Sequence, residues 1–139
     1  MVLKTFRITH STLIEHYQFI ESHLEGIYAA AAGGPFWNVL DEIEKDSLGG
    51  VIRELQALDA QKGLHLFTQD EYTQLRELTA RRNYWCHFCY CDLTFDLKTH
   101  GPANLEDIEK MYADMQAAEQ WRDMLFAKKM ALLEQKQPI

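Results

Sequence analysis

The sequence has no long apolar run and few cysteines, and each lack excludes a class of protein. No stretch approaches the ~18 consecutive apolar residues that a membrane-spanning helix needs, and Met1 to Arg7 show no apolar core or cleavage signal of a secretory peptide. Only three cysteines occur among the 139 residues, which is too few, and an odd number, for a disulfide framework. These absences predict a cytoplasmic protein with reduced thiols and no membrane contact.

An excess of positive charge is also lacking. The chain has 14 lysines and arginines against 21 aspartates and glutamates, a net charge of -7. This balance argues against a broad basic surface that coats duplex nucleic acid, although it leaves room for a small basic site. Hydrophobic residues make up 47% of the chain, which at this length is enough for the core of one domain. We therefore expect a single domain over residues 1–139.

Glycine and proline are scarce, and their clusters mark the ends of helices. Gly33-Gly34-Pro35, Gly63 and Gly101-Pro102 separate segments in which apolar residues recur at steps of three and four. The helices are expected near the following positions: from Thr12 to Ala31, from Phe36 to Lys45, after the cap Asp46-Ser47, from Thr68 to about Phe95, and after the cap Asn104. The sequence shows no β-strand pattern and no internal repeat that would indicate another fold. The predicted fold is an all-α, up-and-down bundle of four to five helices.

The fourth predicted helix carries the residues with the most chemical potential. It begins at the capping box Thr68–Glu71 and has a wide apolar surface, typical of a helix at the centre of a bundle or in an oligomer interface. Within it, Asn83 and His87 lie one turn apart on nearly the same face, and Arg82 is a neighbour of both. A guanidinium, an amide and an imidazole so placed can bind a phosphate and move a proton beside it.

Arg82-Asn83-x-x-x-His87 resembles the Arg-Asn-x-x-x-His form of the Arg-x(4–6)-His motif of the HEPN superfamily. That family consists of small all-α domains that often act as metal-independent endoribonucleases. Helix order and lengths extend the resemblance over much of the chain, whereas residue identity is confined to one helix. The resemblance implies that Arg82 stabilises charge on the scissile phosphate, that His87 acts as general base or acid, and that Asn83 orients the imidazole or the substrate. An RNA 2′-hydroxyl would be the nucleophile, so no metal or cofactor is required.

The same resemblance implies partners and a setting. It implies a homodimer in which two Arg–His sets line one cleft, a role in toxin or defence systems, and an antitoxin partner of the nucleotidyltransferase type. Arg76 and Arg81 flank the motif, and positive charge near the cleft would strengthen phosphate binding. Tyr90 follows His87 by three residues and is a candidate for stacking on an RNA base. Tyr84 and Trp85 are assigned to the core instead.

Two other interpretations of the motif remain open. In the first, Arg82 and His87 satisfy buried contacts or hold a dimer together, and the protein is a non-catalytic adaptor or an antitoxin-like protein. In the second, Cys86, His87 and Cys89 bind zinc, because Cys-x-x-Cys is a spacing of zinc ligands. Cys91 points elsewhere on a continuous helix, and only His100 follows as a further ligand. We therefore expect reduced thiols and no metal.

Two further pairs of residues are assigned no chemistry. His16 and His23 lie seven residues apart, off the apolar stripe of the first helix and without further ligands, so both are expected to be solvated. Gly49 and Gly50 form a weak phosphate-binding motif at a helix start, since neither a preceding strand nor a P-loop lysine accompanies them. Close approach of two helix backbones is the favoured explanation for these glycines.

Overall fold

The computed structural model describes residues 3–93 and 104–136, and all regular structure within these ranges is helical. The elements are α1 (Leu3–Ala32), α2 (Phe36–Ile43), α3 (Leu48–Lys62), α4 (Gln69–Asn83), a π-helical turn (Tyr84–Phe88), α5 (Cys89–Asp92) and α6 (Leu105–Lys136). The segment from α4 to α5 is unbroken, and we call residues 69–92 the motif helix. Counted in this way the described residues form five helices, and the predicted all-α bundle is confirmed.

Helix α1 organises the bundle. It packs along α6 and also contacts α2, α3 and the π-turn. Its large buried apolar side chains form one stripe along the helix, consisting of Phe6, Leu13, Tyr17, Ile20, Leu24 and Ile27. A stripe with this spacing faces the other helices and excludes water from the seam. The motif helix therefore packs against a helix that contacts most of the fold.

The start of α1 differs from the sequence-based expectation. The helix begins at Leu3 rather than near Thr12, and the Thr12 hydroxyl donates to the carbonyl of Ile8 at 3.2 Å instead of capping a helix end. Phe6 is fully buried and extends the apolar stripe toward the N-terminus. Burial of this ring outweighs the modest helix propensity of the threonines and isoleucine around it.

Local signals at the other helix ends agree with the structure. Gly33 (φ +85°) and Gly63 (φ +61°) adopt the left-handed conformation that ends a helix. Ser47 accepts a hydrogen bond from the N–H of Gly50, and Asn104 accepts one from the N–H of Glu106. These caps are formed by residues close in sequence, which is why the pattern alone predicts them.

The motif helix begins as predicted. Thr68 and Glu71 form a reciprocal capping box, with bonds of 3.1 and 2.8 Å, and Phe67 packs edge-on against Tyr72. The described part of the helix ends at Asp92. Its predicted end near Phe95, and the stop at Gly101-Pro102, lie outside the described residues.

Two side chains differ in exposure from the usual behaviour of their residue types. Trp37 of α2 is 72% exposed. α2 is short, ending at Ile43 rather than Lys45, and Ile43 is its one buried side chain. His23, expected in solvent, is buried at 6% exposure between α1 and α6.

The burial of His23 follows from a close crossing of α1 by Lys129. A Cβ atom at Gly26 would lie 2.6 Å from Lys129 Cδ, so a larger residue there would require the lysine side chain to shift. Lys129 Nζ donates to His23 Nδ1 at 2.9 Å. Burial, followed by the positive charges of Lys129 and Arg122, lowers the pKa of His23 to about 4. His23 is therefore a neutral acceptor inside the bundle.

Candidate functional site

The π-turn lies inside the Arg82–His87 motif. At its end the N–H of Cys89 donates to the carbonyl of Tyr84, five residues earlier instead of four. Such a turn contains one more residue than an α-helical turn, and π-turns are frequent at functional sites. In a regular α-helix, Arg82 and His87 would lie roughly 140° apart around the axis. Because a π-turn has a smaller rotation per residue, we expect this offset to be smaller here than in a regular α-helix.

Side chains from two other helices hold the π-turn. His10 Nε2 of α1 lies 2.7 Å from the carbonyl oxygen of Trp85. The Trp85 indole N–H donates to Asp114 of α6 at 2.7 Å, and the ring is 1% exposed. The Cys89 thiol is a further donor to the Trp85 carbonyl, at 3.3 Å. Long-range hydrogen bonds from α1 and to α6 therefore hold the turn in place.

Arg82 is fixed by two partners. One guanidinium nitrogen, Nη2, lies 3.2 Å from Glu21 Oε2 of α1, and the other, Nη1, donates to Asn83 Oδ1 at 3.1 Å. The side chains of Arg82 and Glu21 are each 26% exposed. The structure thus brings Arg82 and Asn83 together and adds Glu21, which the sequence analysis missed. No local motif links residues 61 positions apart.

A second carboxyl on α1 follows Glu21 by one turn. Burial, and then the neighbouring charges of Glu21 and Glu44, raise the pKa of Glu25 to about 7. At neutral pH this carboxyl therefore carries only part of a negative charge. Arg82 is paired with the Glu21 carboxylate.

The imidazole of His87 is open to solvent. The imidazole ring lies edge-to-face with the ring of Phe88, with the two centroids 6.2 Å apart. Within residues 3–93 and 104–136 no hydrogen-bond partner of His87 is found. The neighbouring Phe88 is 59% exposed. An imidazole so placed is accessible to a substrate, and an apolar ring lies beside it.

The two flanking arginines face other helices. Arg76 donates to the Gln56 side chain of α3 at 2.8 Å. The Nε atom of Arg81 lies 3.9 Å from Asp114 of α6, and its side chain lines a cavity of about 230 Å³ between α4 and α6. Arg82 contacts α1 instead. The structure therefore does not gather the three arginines at one point of a single protomer.

Tyr90 packs on the N-terminal part of α1. Its ring stands edge-on to Phe6 and His10, with centroid distances of 5.5 and 5.1 Å, and is 43% exposed. Burial raises the pKa of its hydroxyl, and a hydrogen bond from Arg7 opposes that shift. The half-exposed ring is therefore held in a defined orientation.

A small basic surface adjoins Tyr90. Lys4 and Arg7 lie one helical turn apart and line a shallow cavity of about 430 Å³ together with Ile8 and Ser11. We call Lys4, Arg7 and Tyr90 the basic strip. The sequence analysis missed the two cations, although a signal existed: within α1 no acidic residue precedes Glu15.

The three cysteines have different surroundings. Cys86 and Cys91 are exposed, whereas Cys89 is buried and lies 3.5 Å from His10 Nε2. Burial raises the pKa of the Cys89 thiol to about 11 and also raises that of Cys86. In the part of the chain that the structure describes, no group of three or more His, Cys, Asp or Glu side chains is placed to hold a metal ion. His100 lies outside that part.

Comparison with known proteins gives no relative: no family model, no curated protein and no solved structure matches the chain. The likeness to the HEPN superfamily therefore depends on the motif and the helix order alone. Among the described residues, no helix is long and apolar enough to cross a membrane.

Proposed function

We propose that the protein is a metal-independent endoribonuclease with Arg82, Asn83 and His87 as its catalytic residues. One observation carries the proposal, namely the arrangement of the motif at the π-turn. Glu21 and Asn83 fix the guanidinium of Arg82, while the imidazole of His87 on the following turn is open to solvent. A fixed phosphate-binding cation, followed on the next turn by an accessible proton-transfer group, suits RNA cleavage without a metal.

In this mechanism Arg82 binds the non-bridging oxygens of the scissile phosphate and stabilises their developing charge. A guanidinium has five N–H donors, so the contacts with Glu21 and Asn83 leave donors for the substrate. His87 takes the proton of the 2′-hydroxyl as that oxygen attacks the adjacent phosphorus. The bond to the 5′-oxygen of the next nucleotide breaks, this oxygen takes up a proton from water, and the proton held by His87 is released to solvent. One product strand ends in a 2′,3′-cyclic phosphate.

The basic strip gives the RNA a path away from this site. Lys4 and Arg7 contact phosphates, and Tyr90 stacks on an unpaired base. Lys4 and Arg7 lie at the N-terminal end of α1. The motif helix contacts α1 through the π-turn and through Tyr90. Because the chain as a whole carries a charge of -7, a local basic surface favours a single strand over a long duplex.

The proposed enzyme is a cytoplasmic homodimer, in which the motif helices of two protomers meet and two Arg–His sets line one cleft. The exposed ring of Phe88 beside His87 supports this interface, because an apolar ring next to a polar site is commonly covered by a partner. The resemblance to the HEPN superfamily adds a toxin or defence role and an antitoxin of the nucleotidyltransferase type as partner.

A second candidate function is favoured by the pairing of Arg82 with Glu21. A carboxylate already neutralises this guanidinium, as in an arginine that serves only to join two helices. The protein would then be a non-catalytic dimeric adaptor or an antitoxin-like protein of HEPN type.

The two functions are separated by substitutions at His87 and Arg82. Losing a general acid–base costs about 10²–10⁴-fold in rate, so His87→Ala should abolish most RNA cleavage and leave RNA binding intact. Arg82→Ala should lower cleavage and weaken binding, with a salt-dependence slope smaller by about one. The matched controls are the exposed residues Arg53 and His65, changed to Ala and Asn respectively. Asn is chosen at position 65 because His65 has a positive φ of 54°.

Equal cleavage by wild type and His87→Ala would show that the site is assigned wrongly. If purified wild-type protein does not cleave RNA, and His87→Ala changes only stability or the affinity for a partner protein, the adaptor function is supported instead.

A further inference from the structure

The π-turn depends on partners from outside its own helix. In a regular α-helix the Trp85 carbonyl would accept the N–H of Cys89, four residues later, but here that N–H donates to Tyr84. The Trp85 carbonyl is thereby released from that bond. A buried carbonyl without a donor is unfavourable, so a π-turn persists where another group takes over.

His10 supplies that donor. Its Nε2 lies 2.7 Å from the Trp85 oxygen, a short bond across 75 positions of sequence. Because a carbonyl only accepts, Nε2 must carry the proton. The Cys89 thiol, at 3.3 Å from the same oxygen, is a weaker donor. The imidazole is also held by aromatic contacts, stacked on Phe6 at 6.0 Å and edge-on to Tyr90 at 5.1 Å.

We propose that His10 is a positioning residue: by holding the Trp85 carbonyl it keeps the π-turn wide and so sets the direction of His87 relative to Arg82. Its effect on cleavage rests on the proposed function, whereas its effect on the turn does not. His10 does not touch the substrate, because its donor nitrogen is engaged with the backbone. It acts through the turn on the group that transfers the proton.

Three variants test the proposal. His10→Leu fills the space without a donor, and His10→Gln places an amide N–H where Nε2 was. Thr9→Val is the control, since the Thr9 hydroxyl donates to the Thr5 carbonyl of its own helix. A misplacement of about 1 Å costs on the order of 10²-fold in rate. His10→Leu should therefore lower kcat by about 10–100-fold, a larger effect than on the Kd for single-stranded RNA, and His10→Gln should restore most of kcat.

The second measurement needs no RNA. Hydrogen exchange of the Cys89 amide reports on the bond to Tyr84, and exchange of the Leu55 amide in α3 reports on global unfolding. His10→Leu should speed exchange at Cys89 relative to Leu55, whereas His10→Gln and Thr9→Val should not. If the leucine variant does not fold, His10→Asn takes its place, because the shorter amide does not reach the carbonyl.

Each outcome tests a different part of the proposal. If wild type does not cleave RNA, the proposed function fails, and the exchange data still decide whether His10 holds the turn. Unchanged exchange at Cys89 in the leucine variant would overturn the structural role. Faster exchange at Cys89 with cleavage at the wild-type rate would overturn the positioning role. A glutamine variant as impaired as the leucine variant would show that the hydrogen bond is not the cause.

Discussion

The loop between α3 and the motif helix is held by one buried carboxylate, and removal of this carboxylate should strongly destabilise the protein. Asp59 of α3 is 7% exposed. It accepts hydrogen bonds from the backbone N–H groups of Leu66 at 3.1 Å and Phe67 at 3.4 Å, and from the Tyr72 hydroxyl at 2.7 Å. These contacts tie the end of α3 to the first turn of α4.

The size of the effect follows from the three donors. Each buried donor left without a partner costs about 1–3 kcal/mol, and partial access of water puts the values near the lower end. Asp59→Ala should therefore lower the free energy of unfolding by about 3–5 kcal/mol. For a chain of this length that is roughly 10–15 °C in Tm. Asp59→Asn keeps one acceptor oxygen and should cost about half as much. Urea unfolding followed by circular dichroism measures both.

The pKa of Asp59 determines how its contribution to stability changes with pH. Burial raises the pKa of Asp59, but the hydrogen bonds from Tyr72 and from the backbone amides outweigh it, and the net pKa is lowered. A carboxylate with a lowered folded-state pKa contributes stability that is complete above its unfolded pKa of about 4 and is lost as the pH falls through the folded value. The difference between wild type and Asp59→Asn should therefore be full at neutral pH and shrink in acid.

Two results would refute this reasoning. One is an Asp59→Ala variant whose unfolding free energy lies within about 0.5 kcal/mol of wild type, the usual range of a neutral surface change. The other is a difference between wild type and Asp59→Asn that stays constant from neutral pH into acid. Tyr72→Phe, which removes one donor and leaves the carboxylate, is the control and should cost less than Asp59→Ala.

Four further predictions address assembly, titration, the thiols and metal binding. Light scattering at micromolar concentration should show a homodimer, and a monomer would remove the composite cleft. His23 should stay neutral until about pH 4 in NMR titration. Because its folded pKa is lowered from 6.5, its stabilising contribution is complete above that value and lost toward pH 4, and His23→Gln should flatten the curve there. Iodoacetamide should alkylate Cys86 and Cys91 before the buried Cys89. The protein should keep its fold in EDTA; one zinc per chain, with unfolding on chelation, would point instead to Cys86, His87 and Cys89.

The parts of the fold that the sequence predicts are those formed by neighbouring residues. The Thr68–Glu71 box, the Ser47 cap and the Gly63 stop each involve groups within four positions of one another, so pattern and structure agree. The start of α1 was missed because a comparable local pattern at Thr12 lost to the burial of Phe6. A tertiary contact decided that boundary.

Only part of the candidate site can be recognised from the sequence. Arg82, Asn83 and His87 are adjacent enough to be recognised as a motif, but Glu21 and His10 reach the site from α1. The π-turn is also hidden, since one extra residue changes the phase of the apolar pattern without ending it. Of the two adjacent apolar residues Phe88 and Cys89, Cys89 is buried and Phe88 is exposed.

The π-turn makes the length of the motif helix adjustable. It equals an α-helical turn with one residue inserted, so the insertion is absorbed within residues 84–88. The buried side chains of Leu78 before it and Leu93 after it would keep their faces if the exposed Cys86 were deleted. We expect this deletion variant to fold, with wild-type helix content by circular dichroism and a regular α-helix through this segment in a crystal structure. The helix can then gain or lose a residue where the proposed chemistry lies, while the core on either side keeps its packing.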